Sequence, residues 1–328
     1  MQNFTGTEYV MIDIANQFGL DRLLWNDRLY WVNNNRPNLS ALTDQAKHPI
    51  PFEKGIRALQ KAEAEQPTNH IMGLDATASG IQLMAAMSGC VSSAKAVNLI
   101  NTNKREDIYE WIAQKMTKLL DKPITRDSVK KPVMTFFYGS QAVPKQIFGT
   151  GTSYTAFMDT MSKVLKGPFE LMKLFQSFWD PNASKYTWAM PDGHVVHIPV
   201  TVKEDKGLEI DEASHLRFTY RAEIVKPQLE GRSLAANIVH SVDAWVCREM
   251  TKKAKTLGFY LAPIHDCFYA HPNNMNAVRQ MYRELLAEVA QMNLVTSILS
   301  QIGNRRITYT KLTSALDEQI LESEYALS

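Results

Sequence analysis

Two aspartates, Asp75 and Asp266, each close a short apolar stretch and precede a turn. Asp75 ends His70-Ile-Met-Gly-Leu-Asp and is followed by small residues. Asp266 comes after Leu261-Ala-Pro-Ile-His and before Cys267-Phe-Tyr. A carboxylate at the end of a buried strand is costly unless hydrogen-bonded or set beside a cation. Two of them on separate strand ends can meet across a sheet and hold a pair of divalent cations. Such a pair activates a hydroxyl nucleophile and stabilises a leaving pyrophosphate. Taken singly, Asp75 reads better as the cap of the next helix. The residues permit the pair without establishing it.

A second group is Arg126, Lys130 and Tyr138. The first two stand four apart and share one helix face. An Arg bonds a phosphate bidentately and a Lys adds a compact charge, so the pair suits a triphosphate. Tyr138, a little over two turns further on, can set its ring against a base and its hydroxyl near a sugar. Taken singly, the group reads better as a basic solvated face with a core tyrosine at its end. The neighbourhood is basic, with ten Lys/Arg against five Asp/Glu from Lys95 to Phe148, although the whole chain carries only +2. A nucleic-acid channel needs charge locally rather than globally.

These residues need elements to hold them. The 328 residues are 45% hydrophobic and 21% charged, enough for one large domain or two fused subdomains of ordinary globular composition. Apolar spacing predicts helices in two pieces over 8–35, then over 49–66, 80–87, 91–121, 125–148, 153–180 and 233–256, and in most of the chain after 271. Residues 70–75 read as a strand, 186–199 as a hairpin turning at Asp192-Gly193, 215–224 as strand, and 259–271 as strand–turn–strand with His265-Asp266 at the tip. Pro132 should bend its helix. His194 and His197 suit exposed hairpin positions better than a zinc site. The three cysteines, Cys90, Cys247 and Cys267, form neither a disulfide framework nor a zinc cluster. No basic-apolar leader and no apolar run of membrane-spanning length is present. The expectation is a soluble intracellular protein with no membrane partner, and Met1 reads as a natural start.

Together the groups resemble a known family. Asp75-Ala-Thr-Ala-Ser-Gly-Ile-Gln82 resembles motif A of the phage-type, single-subunit RNA polymerases. Arg126-x3-Lys130-x7-Tyr138-Gly139 resembles their motif B, and His265-Asp266-Cys267-Phe268 their motif C, where Ser more often follows the Asp. The order is the family's. Val97-Asn98-Leu99 and Asp107-Ile108-Tyr109 are similar to the helix after motif A, and Trp188 to Val195 to a family hairpin. Asn237 to Asp243 looks like the helix bearing the sugar-contacting His240, and Ile320 to Ser328 resembles the C-terminal foot. Weaker similarity reaches Phe18 to Arg22 and Asp27-Arg28.

The resemblance implies an α+β, mainly helical right-hand fold: palm at 1–90 with motif A, fingers at 91–235, and palm again at 236–328 with motif C and the foot. It implies a DNA-directed RNA polymerase taking rNTPs, a DNA template and an RNA 3′ end, with two Mg²⁺ on Asp75 and Asp266 and the Ala76 carbonyl as an extra ligand. Arg126 and Lys130 become triphosphate ligands, Tyr138 and His240 sense the ribose 2′-hydroxyl, and Gly139 and His265 support them. Family members carry several hundred residues before motif A. The chain therefore resembles the large subunit of the heterodimeric phage RNA polymerases of the coliphage N-four type. The partners expected are a smaller subunit supplying the thumb and N-terminal parts, and a phage single-stranded DNA-binding or promoter-delivery protein. The expected location is the cytoplasm of an infected bacterium. The alternatives are a catalytically decayed nucleic-acid-binding relative and a DNA polymerase of the same superfamily.

Overall fold

The computed structural model describes residues 1–213, 215–231 and 233–328. The N-terminal part holds α1 (Gly6–Ala15), α2 (Trp25–Asn35), α3 (Pro49–Glu63), β1 (Met72–Asp75), α4 (Ser79–Ser88) and α5 (Val91–Ala96). The middle holds α6 (Ile108–Leu120), α7 (Arg126–Phe137), α8 (Ala142–Phe148), α9 (Thr152–Val164), α10 (Lys166–Ser177), β2 (Lys185–Ala189), β3 (Val195–Pro199), β4 (Thr201–Ile210) and β5 (Leu216–Val225). The chain ends with α11 (Ser233–Thr256), β6 (Ala262–Ile264), β7 (Cys267–Ala270), α12 (Met275–Gln291), α13 (Leu294–Ile302) and α14 (Leu316–Leu321). The class is α+β and mainly helical.

Local sequence sets several of these boundaries. Thr5 and Glu8 form a capping box at α1, each side chain accepting the other's backbone N–H. Asp107 caps α6 through Tyr109 and Glu110, and Thr125 caps α7 through Ser128. Gly139 follows α7 at φ +81, a left-handed conformation open to glycine, and so reverses the chain directly after Tyr138.

The element that matters most is a three-stranded antiparallel sheet in the order β1–β7–β6. Met72, Leu74, Phe268 and Ala270 are buried, on a sheet packed by α12, while the polar ends of β1 and β7 open outward. The β6–β7 hairpin pairs Ile264 with Cys267, leaving His265-Asp266 as its two-residue turn. His265 takes φ +55 there, a conformation non-glycine residues adopt rarely and which turns of this kind require. The last residues lie along the open side of β1's end. Ser328 N–H donates to the Asp75 carbonyl at 3.0 Å, and Ala76 bridges Leu327.

Buried polar groups lock this corner together. Gln82 Nε2 lies within 3.0 Å of Thr77 Oγ1, Val97 O and Ala326 O, while its Oε1 accepts from Tyr282 Oη at 2.9 Å. Arg279 is 2% exposed, pairs with Glu324 at 2.6 Å and stacks over Trp25, tying α12 to the C-terminal segment. Arg28 is fully buried over the same ring and bonds Asp21 O, Leu23 O and Asn16 Oδ1. Burial pulls its guanidinium down to about 9, and the two carbonyls it holds flank Arg22.

Several expectations are corrected. Residues 91–121 do not form one helix. The chain leaves the helical region after α5, with Asn98 and Asn103 at positive φ, and starts again at the Asp107 cap. The stretch 125–148 divides at Gly139, and 153–180 divides at Leu165. The turn of the β2–β3 hairpin is longer than Asp192-Gly193, closing with Met190 N–H on His194 O at 2.8 Å. The strand at 215–224 has a ten-residue antiparallel partner, β4, which apolar alternation does not announce. Elsewhere, α7 carries Pro132 inside it and continues to Phe137. Among the described residues no single helix is long and apolar enough to cross a membrane.

Candidate active site

Antiparallel pairing of β1 with β7 puts Asp75 opposite Cys267, and the Ala76 N–H donates to the Asp266 carbonyl at 3.0 Å. The two aspartates, far apart in sequence, therefore stand side by side at one end of the sheet. They open into a cleft of about 460 Å³ that also takes in Ala76, Arg126, Lys130 and Tyr138. All six were expected to act together, and one cavity receives all six.

The electrostatics follow from the placement. Asp75 faces the cleft, yet surrounding protein still removes enough water to push its carboxyl up to about 7. The Asp266 charge adds to the shift, while the Ala76 N–H and Lys130 oppose it. Asp243 on α11 is pushed up to about 6, by burial first and then by Asp266. Asp266 thus repels both Asp75 and Asp243. The donors are hard carboxylate oxygens with a main-chain carbonyl beside them, the set that suits Mg²⁺. On this chemistry the residues present fit a divalent pair.

The shifts carry a pH dependence. Asp75 holds its proton more tightly in the folded chain than in the unfolded one, where 3.8 applies. Between that value and about 7 the folded state binds more protons, so stability of the cation-free protein falls as pH rises through the window. Asp243 acts in the same sense up to about 6. A cation needs the ionised carboxylates and relieves their repulsion. Mg²⁺ is therefore expected to raise Tm more at pH 8 than at pH 5 in thermal melts. An equal effect at both pH values would contradict the pairing.

Tyr138 ends α7 with its ring 4.7 Å from His240 on α11. Its hydroxyl shares the cleft with Ser79 at the start of α4, and a Cβ on Gly80 would come within 3.1 Å of it, so Gly80 leaves that oxygen room. Burial, then Asp243 and Asp266, keep this phenol protonated. Burial and the nearby His265 lower His240, which leaves it neutral at pH 7 and able to accept or donate one hydrogen bond. His240 and His265 do not line the cleft. His240 reaches it through Tyr138, and the His265 carbonyl accepts from Cys247 Sγ at 3.2 Å.

Other lining residues were not among the expected site residues. Arg22, Arg105, Asp107 and Ser328 all face the cleft. Arg105 donates from Nε to Ser328 Oγ at 3.1 Å, and Asp107 holds Arg126 at 2.6 Å. The signals for the middle pair are the charged run Lys104-Arg105-Glu106-Asp107 just before a helix and the family-like Asp107-Ile108-Tyr109. The β2–β3 hairpin stands behind α11, where Trp188 Nε1 donates to the buried Ser241 Oγ and Asp192 takes Arg248 bidentately at 2.6 and 3.1 Å.

Comparison with known proteins bears directly on this cleft. The family model for DNA-dependent RNA polymerase matches residues 2–147 and 145–326. The mitochondrial DNA-directed RNA polymerase of Schizosaccharomyces pombe is 21% identical over 367 aligned residues, covering 92% of this chain and 32% of the relative. The mitochondrial DNA-directed RNA polymerase 1 of Arabidopsis thaliana is 22% identical, covering 98% of the chain and 39% of the relative. A probable DNA-directed RNA polymerase of Gelasinospora is 24% identical, covering 89% and 43%. The chain thus spans between about a third and two-fifths of the length of such relatives. With the family model matched along nearly its whole length, this chain belongs to the phage-type DNA-dependent RNA polymerase family.

Proposed function

We propose that this chain is the catalytic part of a DNA-directed RNA polymerase, with its palm in residues 1–90 and 236–328 and its fingers in 91–235. The observation that carries the reading is the convergence of two aspartates from paired strands with Arg126, Lys130 and Tyr138 in one cleft. Asp75 and Asp266, with the Ala76 carbonyl, hold two Mg²⁺. When bound, such a pair lowers the pKa of a 3′-hydroxyl and neutralises a leaving pyrophosphate.

The chain's own residues do the rest. Arg126 and Lys130 on α7 receive the triphosphate and turn its α-phosphorus toward the RNA end. Gly139 lets the chain reverse after Tyr138, which leaves that ring at the helix end between Gly80 and His240. There the Tyr138 hydroxyl meets the ribose, with the neutral His240 packed against the tyrosine ring. His265, in its left-handed turn, sets the direction in which Asp266 leaves the sheet.

The surfaces that grip template and product come, on this reading, from a second and smaller polypeptide, with a single-stranded DNA-binding protein delivering the promoter. The test is extension of a primed template with rNTPs or dNTPs, by the chain with and without a co-purifying smaller chain. Extension is expected with rNTPs and is expected to rise at least tenfold with the partner. Incorporation of dNTPs alone, or none under any condition, would overturn the proposal.

A further inference from the structure

Arg126 is already held before any ligand arrives. Its Nε donates to Asp107 Oδ2 at 2.6 Å, and its guanidinium carbon lies 5.3 Å from the centre of the Tyr109 ring. The other Asp107 oxygen, Oδ1, accepts from the backbone N–H groups of Tyr109 and Glu110 at 3.0 and 3.2 Å. One carboxylate is thus fastened to the start of α6 by one oxygen and grips the arginine with the other. Among the described residues the Arg126 Nη atoms make no hydrogen bond; the exposed Asp127 carboxylate is 3.6 Å from Nη1.

From this arrangement we infer that Asp107 is a positioning residue: by holding Nε, it presents the Nη edge of Arg126 to the phosphates of an incoming nucleoside triphosphate. The inference rests on Arg126 being a triphosphate ligand, as argued above. An unheld arginine samples many rotamers, and ordering it at the moment of binding weakens affinity; Asp107 and Tyr109 order it beforehand. The carboxylate also repels phosphate. The two effects oppose one another, and the short contact to Nε, on the side away from the Nη edge, favours positioning.

The two roles of Asp107 can be separated because Ser and Asn also cap helices well. Binding of ATP with Mg²⁺ to the full chain, followed by titration calorimetry, compares wild type with Asp107→Ser, Asp107→Asn, Arg126→Ala and the Asp107→Ser/Arg126→Ala pair. Asp107→Ser should melt near the wild-type temperature yet bind ATP about tenfold more weakly, the loss of one charge-assisted hydrogen bond. Asp107→Asn should lose about as much, since its one amide oxygen is taken by the α6 cap and its NH2 group cannot accept from Nε. The double variant should bind no more weakly than Arg126→Ala. Unchanged or tighter binding by Asp107→Ser, or a further loss on top of Arg126→Ala, would overturn the inference while leaving the cleft's assignment intact. No ATP binding by wild type, or full binding by Arg126→Ala, would overturn that assignment as well.

Discussion

Asp266→Asn is expected to lower single-nucleotide incorporation by at least about 10³-fold, the consequence of losing some 4 kcal/mol of transition-state stabilisation. The asparagine keeps the shape of the side chain and the β6–β7 turn, but it removes the charge that faces Asp75. Part of the repulsion that pushes the Asp75 carboxyl up then disappears, so the cation-free variant should melt at the wild-type temperature or above it. Loss of activity without loss of Tm is thus the expected pattern. Rapid-quench incorporation on a primed template, beside thermal melts without Mg²⁺, checks both halves. A variant that keeps a tenth of wild-type incorporation would place the chemistry elsewhere.

Tyr138→Phe has the second large expected effect, on selectivity rather than on rate. The hydroxyl lies over Gly80, and the ring packs beside His240. Phenylalanine fills the same space without the polar atom. A site that hydrogen-bonds a hydroxyl rejects the analogue lacking it, because its own buried polar group is left unpaired. Removing that group removes the penalty on a deoxyribose. The preference for rNTP over dNTP, taken as a ratio of kcat/KM values, should fall by about ten- to a hundredfold, with rNTP turnover within a few-fold of wild type. A ratio within twofold of wild type would remove Tyr138 from the sugar-sensing role.

The parts of this site that could be read in the sequence are those written in local pattern. Asp75 and Asp266 were visible as acids at the ends of apolar runs, and Arg126 with Lys130 as a helical pair. The β1–β7 register converts that pattern into a shared cleft. Contacts made across the fold left no such trace. Ser328 joins the site because the chain end lies along β1, which no spacing near either residue announces. Arg22 reaches the cleft on a turn held by the buried Arg28, a cation whose partners are carbonyls and an amide rather than a recognisable acid.

Secondary structure was misread for physical reasons of the same kind. Strand β4 carries charges on adjacent positions and is solvated on much of its length, so period-two alternation is missing. Its pairing instead shows in ion pairs with β5, such as Asp205 with Arg221 and Glu209 with Arg217. The expected helix over 91–121 failed because Asn98, at φ +61, uses its amide to bond the Glu106 backbone on both sides, closing a loop that helical spacing conceals. That loop is what delivers Arg105 and Asp107 to the cleft.

The central claim is that Asp75 and Asp266 jointly hold a pair of divalent cations, and counting bound ions tests it without requiring any partner chain. Mn²⁺ binding followed by electron paramagnetic resonance, in the presence of a non-hydrolysable ATP analogue, should give two ions per wild-type chain. It should give at most one for Asp75→Asn or Asp266→Asn. Two ions in either variant would contradict the account.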